Sequence, residues 1–236
     1  MKLNAVKKKE NTSKLLKKLL LSNENQVFDL VLSYLSKYYR HQIYCRRNHY
    51  IYARGNWHIC LVSHIDTVRD ERMELNIIED GDIIYARDDI LGGDDRMGVC
   101  MMLDLITDEN KPDLLFCNGE ERGCTGVRKF IEDFYYFPSE KVSLFIELDR
   151  RGENDAVTYN EISRIFIREC GFCGKYGFTD QAGSSSDIYY LTEYYCIPSV
   201  NLSAGFFNEH STEEYIDLEI YRTVKEKVKL ILRDWG

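Results

Sequence analysis

The stretch His58-Ile59-Cys60-Leu61-Val62-Ser63-His64-Ile65-Asp66 decides the fold. Its apolar run is short and unbroken, which predicts a strand covered on both faces. The run stops on a histidine and an aspartate. A second run of the same kind, Val142 to Leu148, stops on Asp149. Leu114–Cys117 and 199–203 read as further strands, and Gln42–Cys45, His49–Ala53 and 83–86 as shorter ones. The Arg54-Gly55-Asn56 turn separates two of these, which suggests a hairpin followed by a central strand. Helical spacing marks residues 12–22, 24–39, 96–106, 125–134, 161–169 and 186–194. A closing helix over about 212–235 carries Leu218, Tyr221, Val224, Val228, Ile231, Leu232 and Trp235 as one apolar stripe, with Glu213 and Glu214 in its first turn. Strands alternating with helices predict an α/β chain, a three-layer αβα sandwich with a mixed, mostly parallel central sheet. No repeat or linker interrupts it, so residues 1–236 read as a single domain.

Composition narrows the function. The chain has 236 residues, 44% hydrophobic and 30% charged, with a net charge of -8. That sign argues against a nucleic-acid-coating surface. No apolar run is long enough to span a membrane. The first 20 residues hold seven lysines and one glutamate without an apolar core, so they do not read as a signal peptide. A cytoplasmic protein is expected, with most of its eight cysteines reduced and buried. Cys170 and Cys173 have the spacing of half a zinc knuckle or of a redox pair, but no second pair accompanies them to complete a four-cysteine zinc site.

In open α/β sheets, sites form beyond the carboxyl ends of the strands. There the sequence offers His64 and Asp66, Asp94 and Asp95, Glu120 and Glu121, Asp149, and Glu209 and His210. Each group alone is a common surface or turn feature. Together, after successive strands, they make a set suited to zinc or a similar divalent metal.

In order, SHIDTV, LGGDDRMGV, NGEERGCTG, IELDRRG and AGFFNEHSTEEY resemble the motifs of the co-catalytic di-zinc exopeptidases, namely metal-dependent aminopeptidases, peptidase T-like tripeptidases and related carboxypeptidases and deacylases. The resemblance spans residues 63–215. It implies two divalent ions, zinc first and cobalt or manganese as substitutes. His64 and Asp149 would bind the first ion, Glu121 and His210 the second, and Asp94 would bridge them. Asp66 would orient the His64 imidazole. Glu120 would be the general base, and a tight turn at Gly119 would let it share a water with Glu121. The resemblance also implies a cis Asp94-Asp95 peptide. Asp95 is the alternative bridge, and Glu147 ranks behind Asp149 as a ligand. Asp187 is either a helix cap or part of a substrate-side loop.

Larger relatives carry an inserted domain, between His64 and Asp94 or between Asp149 and His210 in this numbering. Neither interval has room for one, so a catalytic domain alone is expected. The leading expectation is an aminopeptidase of short peptides. An acyl-amino-acid deacylase or carboxypeptidase-type amidohydrolase is the nearest rival. A catalytically silent binding module is the rival from another class. Arg96, Arg122, Arg150 and Arg151 keep a free-carboxylate substrate open, and Glu209 and Asp187 suit a free amine. No nucleic-acid or membrane partner is expected, and a homo-oligomer is compatible with the sequence.

Overall fold

Two apolar clusters divide the residues of the central strands by a period of two. In β3 (Ile59–His64), Ile59 and Leu61 face one cluster, and Cys60 and Val62 face the other. In β6 (Asp113–Cys117), Leu114 and Phe116 oppose Leu115 and Cys117 in the same way. Alternation of this kind puts successive side chains on opposite faces, so both faces must be covered. The structure, a computed structural model, describes residues 12–69, 74–107, 109 and 111–236. The basic stretch over 1–11 lies outside the described residues.

The remaining strands are β1 (Ile43–Arg46), β2 (Tyr50–Ala53), β4 (Ile77–Asp80), β5 (Ile83–Ala86), β7 (Leu144–Arg150), β8 (Asp155–Thr158), β9 (Thr179–Ala182), β10 (Ser199–Ser203), β11 (Phe206–Phe207) and β12 (Tyr215–Asp217). Eight of them form one sheet in the order β1-β2-β6-β3-β7-β10-β8-β9. Its centre, β6-β3-β7-β10, is parallel throughout. The edges are mixed: β1 and β2 form the expected hairpin, and β6 then inserts antiparallel to β2, between β2 and β3. A second, antiparallel sheet has the order β11-β12-β5-β4.

Helices cover both faces of the large sheet. On one side lie α1 (12–20), α2 (Glu24–Tyr39), α3 (Gly93–Leu105) and α8 (Leu218–Trp235). On the other lie α4 (Thr125–Asp133) and α7 (Asp187–Tyr195). Helices α5 (Glu161–Glu169) and α6 (Phe172–Tyr176) join the first layer towards β8 and β9. This is the αβα sandwich with a mostly parallel sheet that the alternation of elements predicts. Among the described residues, no helix is long and apolar enough to cross a membrane.

Local signals explain the helix ends. Asn23 and Gln26 exchange hydrogen bonds of 3.0 and 2.9 Å at the start of α2, a reciprocal cap. Helix α8 begins at Leu218, later than expected, because Asp217 caps the Glu219 and Ile220 amides at 2.8 and 3.2 Å. Glu213 and Glu214 therefore precede the helix and the short strand β12. On α8 the apolar stripe is buried as expected, and Lys225 is buried with it, paired to Asp104. Asp104 also accepts a hydrogen bond from Thr12 at 2.8 Å, which ties α1 to α3. A charge this far from water needs such a partner. Trp235 packs on Phe166, ring centroids 5.6 Å apart, and donates to the Tyr176 hydroxyl at 3.1 Å. Trp57, just ahead of β3, lies against the terminal Gly236. All eight cysteines are unpaired; Cys60, Cys100, Cys117 and Cys124 are buried, and Cys45, Cys170 and Cys196 are exposed.

Gly126 lies in the first turn of α4, where a Cβ would stand 2.3 Å from the His49 carbonyl oxygen and 2.5 Å from that of Asn118. Alanine normally stabilises a helix relative to glycine by about 1 kcal/mol. Here the sign reverses, because two backbone groups must move. Gly126→Ala is expected to destabilise the protein by about 1–3 kcal/mol. Denaturant unfolding of the two proteins checks this, and an unchanged or raised midpoint would contradict the packing.

Candidate metal centre

Four of the five expected ligands sit at or just beyond the ends of strands or the start of α3, and the fifth comes from a loop of the small sheet. His64 closes β3, and Asp149 is the next-to-last residue of β7. Glu121 follows β6. Asp94 stands in the opening of α3, where its backbone is not helical (φ -78°, ψ 113°). The Asp94-Asp95 peptide is cis. His210 lies between β11 and β12.

The side chains converge in two groups around one carboxylate. Asp94 Oδ1 is 3.2 Å from His64 Nε2, which is 3.4 Å from Asp149 Oδ1. Asp94 Oδ2 is 3.2 Å from His210 Nε2, which is 2.8 Å from Glu121 Oε1. Each oxygen of Asp94 thus faces a separate histidine–carboxylate pair. Ligands held about 2.0–2.1 Å from a tetrahedral ion lie roughly 3.3 Å from each other. The observed spacings approach that value, and the donors are the nitrogen and oxygen types zinc takes. The donor set fits a divalent metal, and ligand atoms of His64, Asp94 and Glu121 all lie within 4.8 Å of one another.

The electrostatics agree. Burial alone would lower the pKa of His64, but Asp149, Asp66 and Asp94 together lift it well above its ordinary value. The hydrogen bond to Asp94, opposed by burial and aided by Glu121, pushes His210 up to about 9. Burial raises Asp94, yet its bonds to the two imidazoles outweigh this and hold it low. Burial and the neighbouring Asp94 drive Asp149 well above the carboxylate range. Burial also raises Glu120 and Glu121. Anionic groups crowded this closely call for positive charge among them.

Four of the five ligand-bearing segments are held from behind by a buried acceptor. Asp66 meets His64 Nδ1 through its carbonyl oxygen at 3.1 Å and its carboxylate at 3.4 Å. The same carboxylate also accepts the amides of Gly119, Glu120 and Glu121 at 2.7, 3.1 and 3.2 Å. It therefore shapes the turn carrying Glu120 and Glu121 as well as facing the histidine. Gly119 has φ 94°, and a Cβ there would strike Thr125 Oγ1, so the turn requires glycine. Glu120 ends beside Cys124, its Oε1 3.8 Å from the thiol sulfur.

Asp95 points away from Asp94. It is fully buried and accepts from the Ser63 hydroxyl, the His64 amide at 3.2 Å and the Gly98 amide at 2.8 Å. Its carboxylate is thus engaged as an anchor for β3 and α3. Glu147 is buried and accepts from the Ser186 hydroxyl. Asp187 is fully buried at the start of α7, and burial together with Glu120 pushes it up to about 7. Asn201 escapes sequence reasoning: its Oδ1 accepts the Asp149 amide at 3.0 Å, where the β7–β10 register breaks. So does Glu214, whose carboxylate accepts the amides of Gly92, Gly93 and Asp94. The only signal for either was a polar residue beside a ligand motif.

No protein-family model and no curated protein matches the chain. Solved structures do. The aminopeptidase PepT of Bacillus cereus superposes with a TM-score of 0.73 at 13% identity, over 94% of this chain and 97% of that one. A tripeptidase of Staphylococcus aureus gives 0.71 at 13% identity, over 95% and 98%. The TET1 peptidase of Pyrococcus horikoshii gives 0.64 at 14%, over 94% and 99%. The resemblance to exopeptidases drawn from the motifs therefore holds at the level of architecture: this chain has the fold of these aminopeptidases and tripeptidases.

Proposed function

We propose that the protein is a metal-dependent exopeptidase, an aminopeptidase that removes residues from short peptides. The observation carrying this reading is the straddling carboxylate of Asp94, with one histidine and one further carboxylate at each oxygen. Two divalent ions, zinc first and cobalt or manganese as substitutes, would acidify a water and polarise the scissile carbonyl. His64, Asp149 and Asp94 would hold one ion, and His210, Glu121 and Asp94 the other.

Glu120 has no ligand role in this arrangement. Its neighbour Glu121 is drawn to His210, which leaves the Glu120 carboxylate for proton transfer. It takes the proton of the attacking water and delivers it to the leaving amine. Burial raises its affinity for that proton, which suits a base that must also act as an acid. Asp66 holds the Glu120 backbone, so the base keeps its place as it cycles.

The surrounding charges favour a free amine over a free carboxylate. Arg122 is paired with Glu24, Arg150 with Asp155 and Arg151 with Glu209. Arg96 is buried, at 1% exposure. The arginines near the motifs are thus committed within the protein. Full-length protein supplied with zinc, cobalt or manganese is expected to cleave free-amine di- and tripeptides and to spare N-blocked ones. A preference for N-acylated substrates would transfer the reading to a deacylase. No turnover across both sets would favour a binding module.

Glu120→Gln is expected to lower kcat by roughly 10²- to 10⁴-fold while metal content stays unchanged. Full activity in that variant would remove Glu120 as the base. Metal uptake should also depend on pH. With its pKa raised to about 9, His210 carries a proton at pH 7 that a cation must displace. Apparent affinity should therefore rise with pH from neutrality towards about pH 9, with protons released on uptake; His64, raised as well, contributes in the same direction. Calorimetry in buffers of different ionisation enthalpy reads this directly, and uptake without proton release would contradict the assignment of the two histidines as ligands.

A further inference from the structure

We propose that Glu214 is a positioning residue that sets the spacing between the bridging carboxylate and His210, and so controls occupancy of the second metal site. This rests on the two-metal reading above. Glu214 is 1% exposed. Its Oε2 accepts the Gly92 amide at 2.8 Å, and its Oε1 accepts those of Gly93 and Asp94 at 2.8 and 3.1 Å. Three consecutive backbone donors thus close on one carboxylate. The turn that presents Asp94 is fastened to the loop that presents His210.

That loop behaves as one piece. The Glu214 amide donates to the Ser211 carbonyl at 3.1 Å, and the Glu213 amide to the Ser211 hydroxyl at 3.2 Å. The Ser211 hydroxyl donates to the Asn208 carbonyl at 2.7 Å. Within it, Asn208 and His210 hold left-handed backbone angles, φ 55° and 63°, a region that asparagine and histidine enter more readily than most residues and that here shapes the turn. The short path from Asp94 through Glu214 to His210 therefore fixes the 3.2 Å approach of His210 Nε2 to Asp94 Oδ2. His64 and Asp149 are placed by paired strands of the large sheet instead and do not depend on this loop.

The tie calls for a carboxylate. Three N–H groups need acceptors on both oxygens, whereas glutamine offers one acceptor and turns an NH₂ group towards a donor. The test is calorimetric titration of cobalt(II) into chelator-stripped full-length protein, with the cobalt absorption bands as a second readout. Wild type is expected to take two ions. Glu214→Gln should weaken the second affinity by about 10- to 100-fold, as loss of a group supporting a ligand commonly does, and the first, which shares Asp94 but not His210, by clearly less. Glu213→Gln, on the neighbouring exposed side chain, should change neither. If Glu214→Gln does not fold, Gly93→Ala carries the test, because its Cβ would press on Glu214 Oε1 from 3.1 Å and should weaken the same ion. Two ions bound with wild-type affinities in these variants would overturn the proposal, and so would an equal loss at both sites. A wild-type protein that takes up no cobalt would instead remove the metal reading itself, and this inference with it.

Discussion

The arrangement turns on one carboxylate that must face two histidines at once. Asp94 can do so because α3 does not begin as a regular helix. Its backbone is extended, and the carboxylate of its successor Asp95 takes a different set of partners. The two adjacent aspartates then divide the labour. Asp94 reaches His64 and His210, while Asp95 grips the Ser63 hydroxyl and the His64 amide. One dipeptide thus fixes both the bridging group and the histidine at the end of β3. Helix α3 is buried on nearly every side, so this dipeptide has little freedom to drift.

Behind four of the five ligand-bearing segments lies a buried acceptor that spends itself on backbone amides. Asp66 holds the turn of Glu120 and Glu121, Glu214 that of Asp94, Asp95 the end of β3, and Asn201 the end of β7. Crowded carboxylates repel one another, and a loop free to relax would let them separate. Backbone hydrogen bonds resist that relaxation while also satisfying buried charge. The acidic character of the site therefore has two parts, an inner set aimed at the centre and an outer set aimed at the chain.

The central strands and the convergent residues were readable because each depends on a local pattern. An unbroken apolar run ending on a ligand-type residue needs no knowledge of its neighbours. The apolar stripe of α8 was equally plain. The insertion of β6 between β2 and β3 was not, because strand order is set by pairing across long sequence distances. Strands β4 and β9 were missed because they are short edge elements with exposed side chains, where burial imposes no pattern, and β8 because it is only four residues long. Glu213 and Glu214 looked like the first turn of a helix, since acidic residues favour that position. A buried carboxylate serving a distant loop uses the same residue type, and sequence alone does not separate the two. Asp66 was read as a partner of His64, and its larger engagement with three amides depends on a turn that only folding brings near.

The last turn of the chain has a consequence in light. Of the aromatic side chains, only two are tryptophan. Trp57 precedes the first residue of β3, and Trp235 closes α8 beside Phe166 and Tyr176. His64 stands at the other end of that same strand, about 17 Å away along its length at 3.3 Å per residue. Both indoles therefore watch the end of the sheet remote from the convergent carboxylates. Their emission reports whether the terminal helix is seated, and it is a poor witness to anything that happens between His64 and His210.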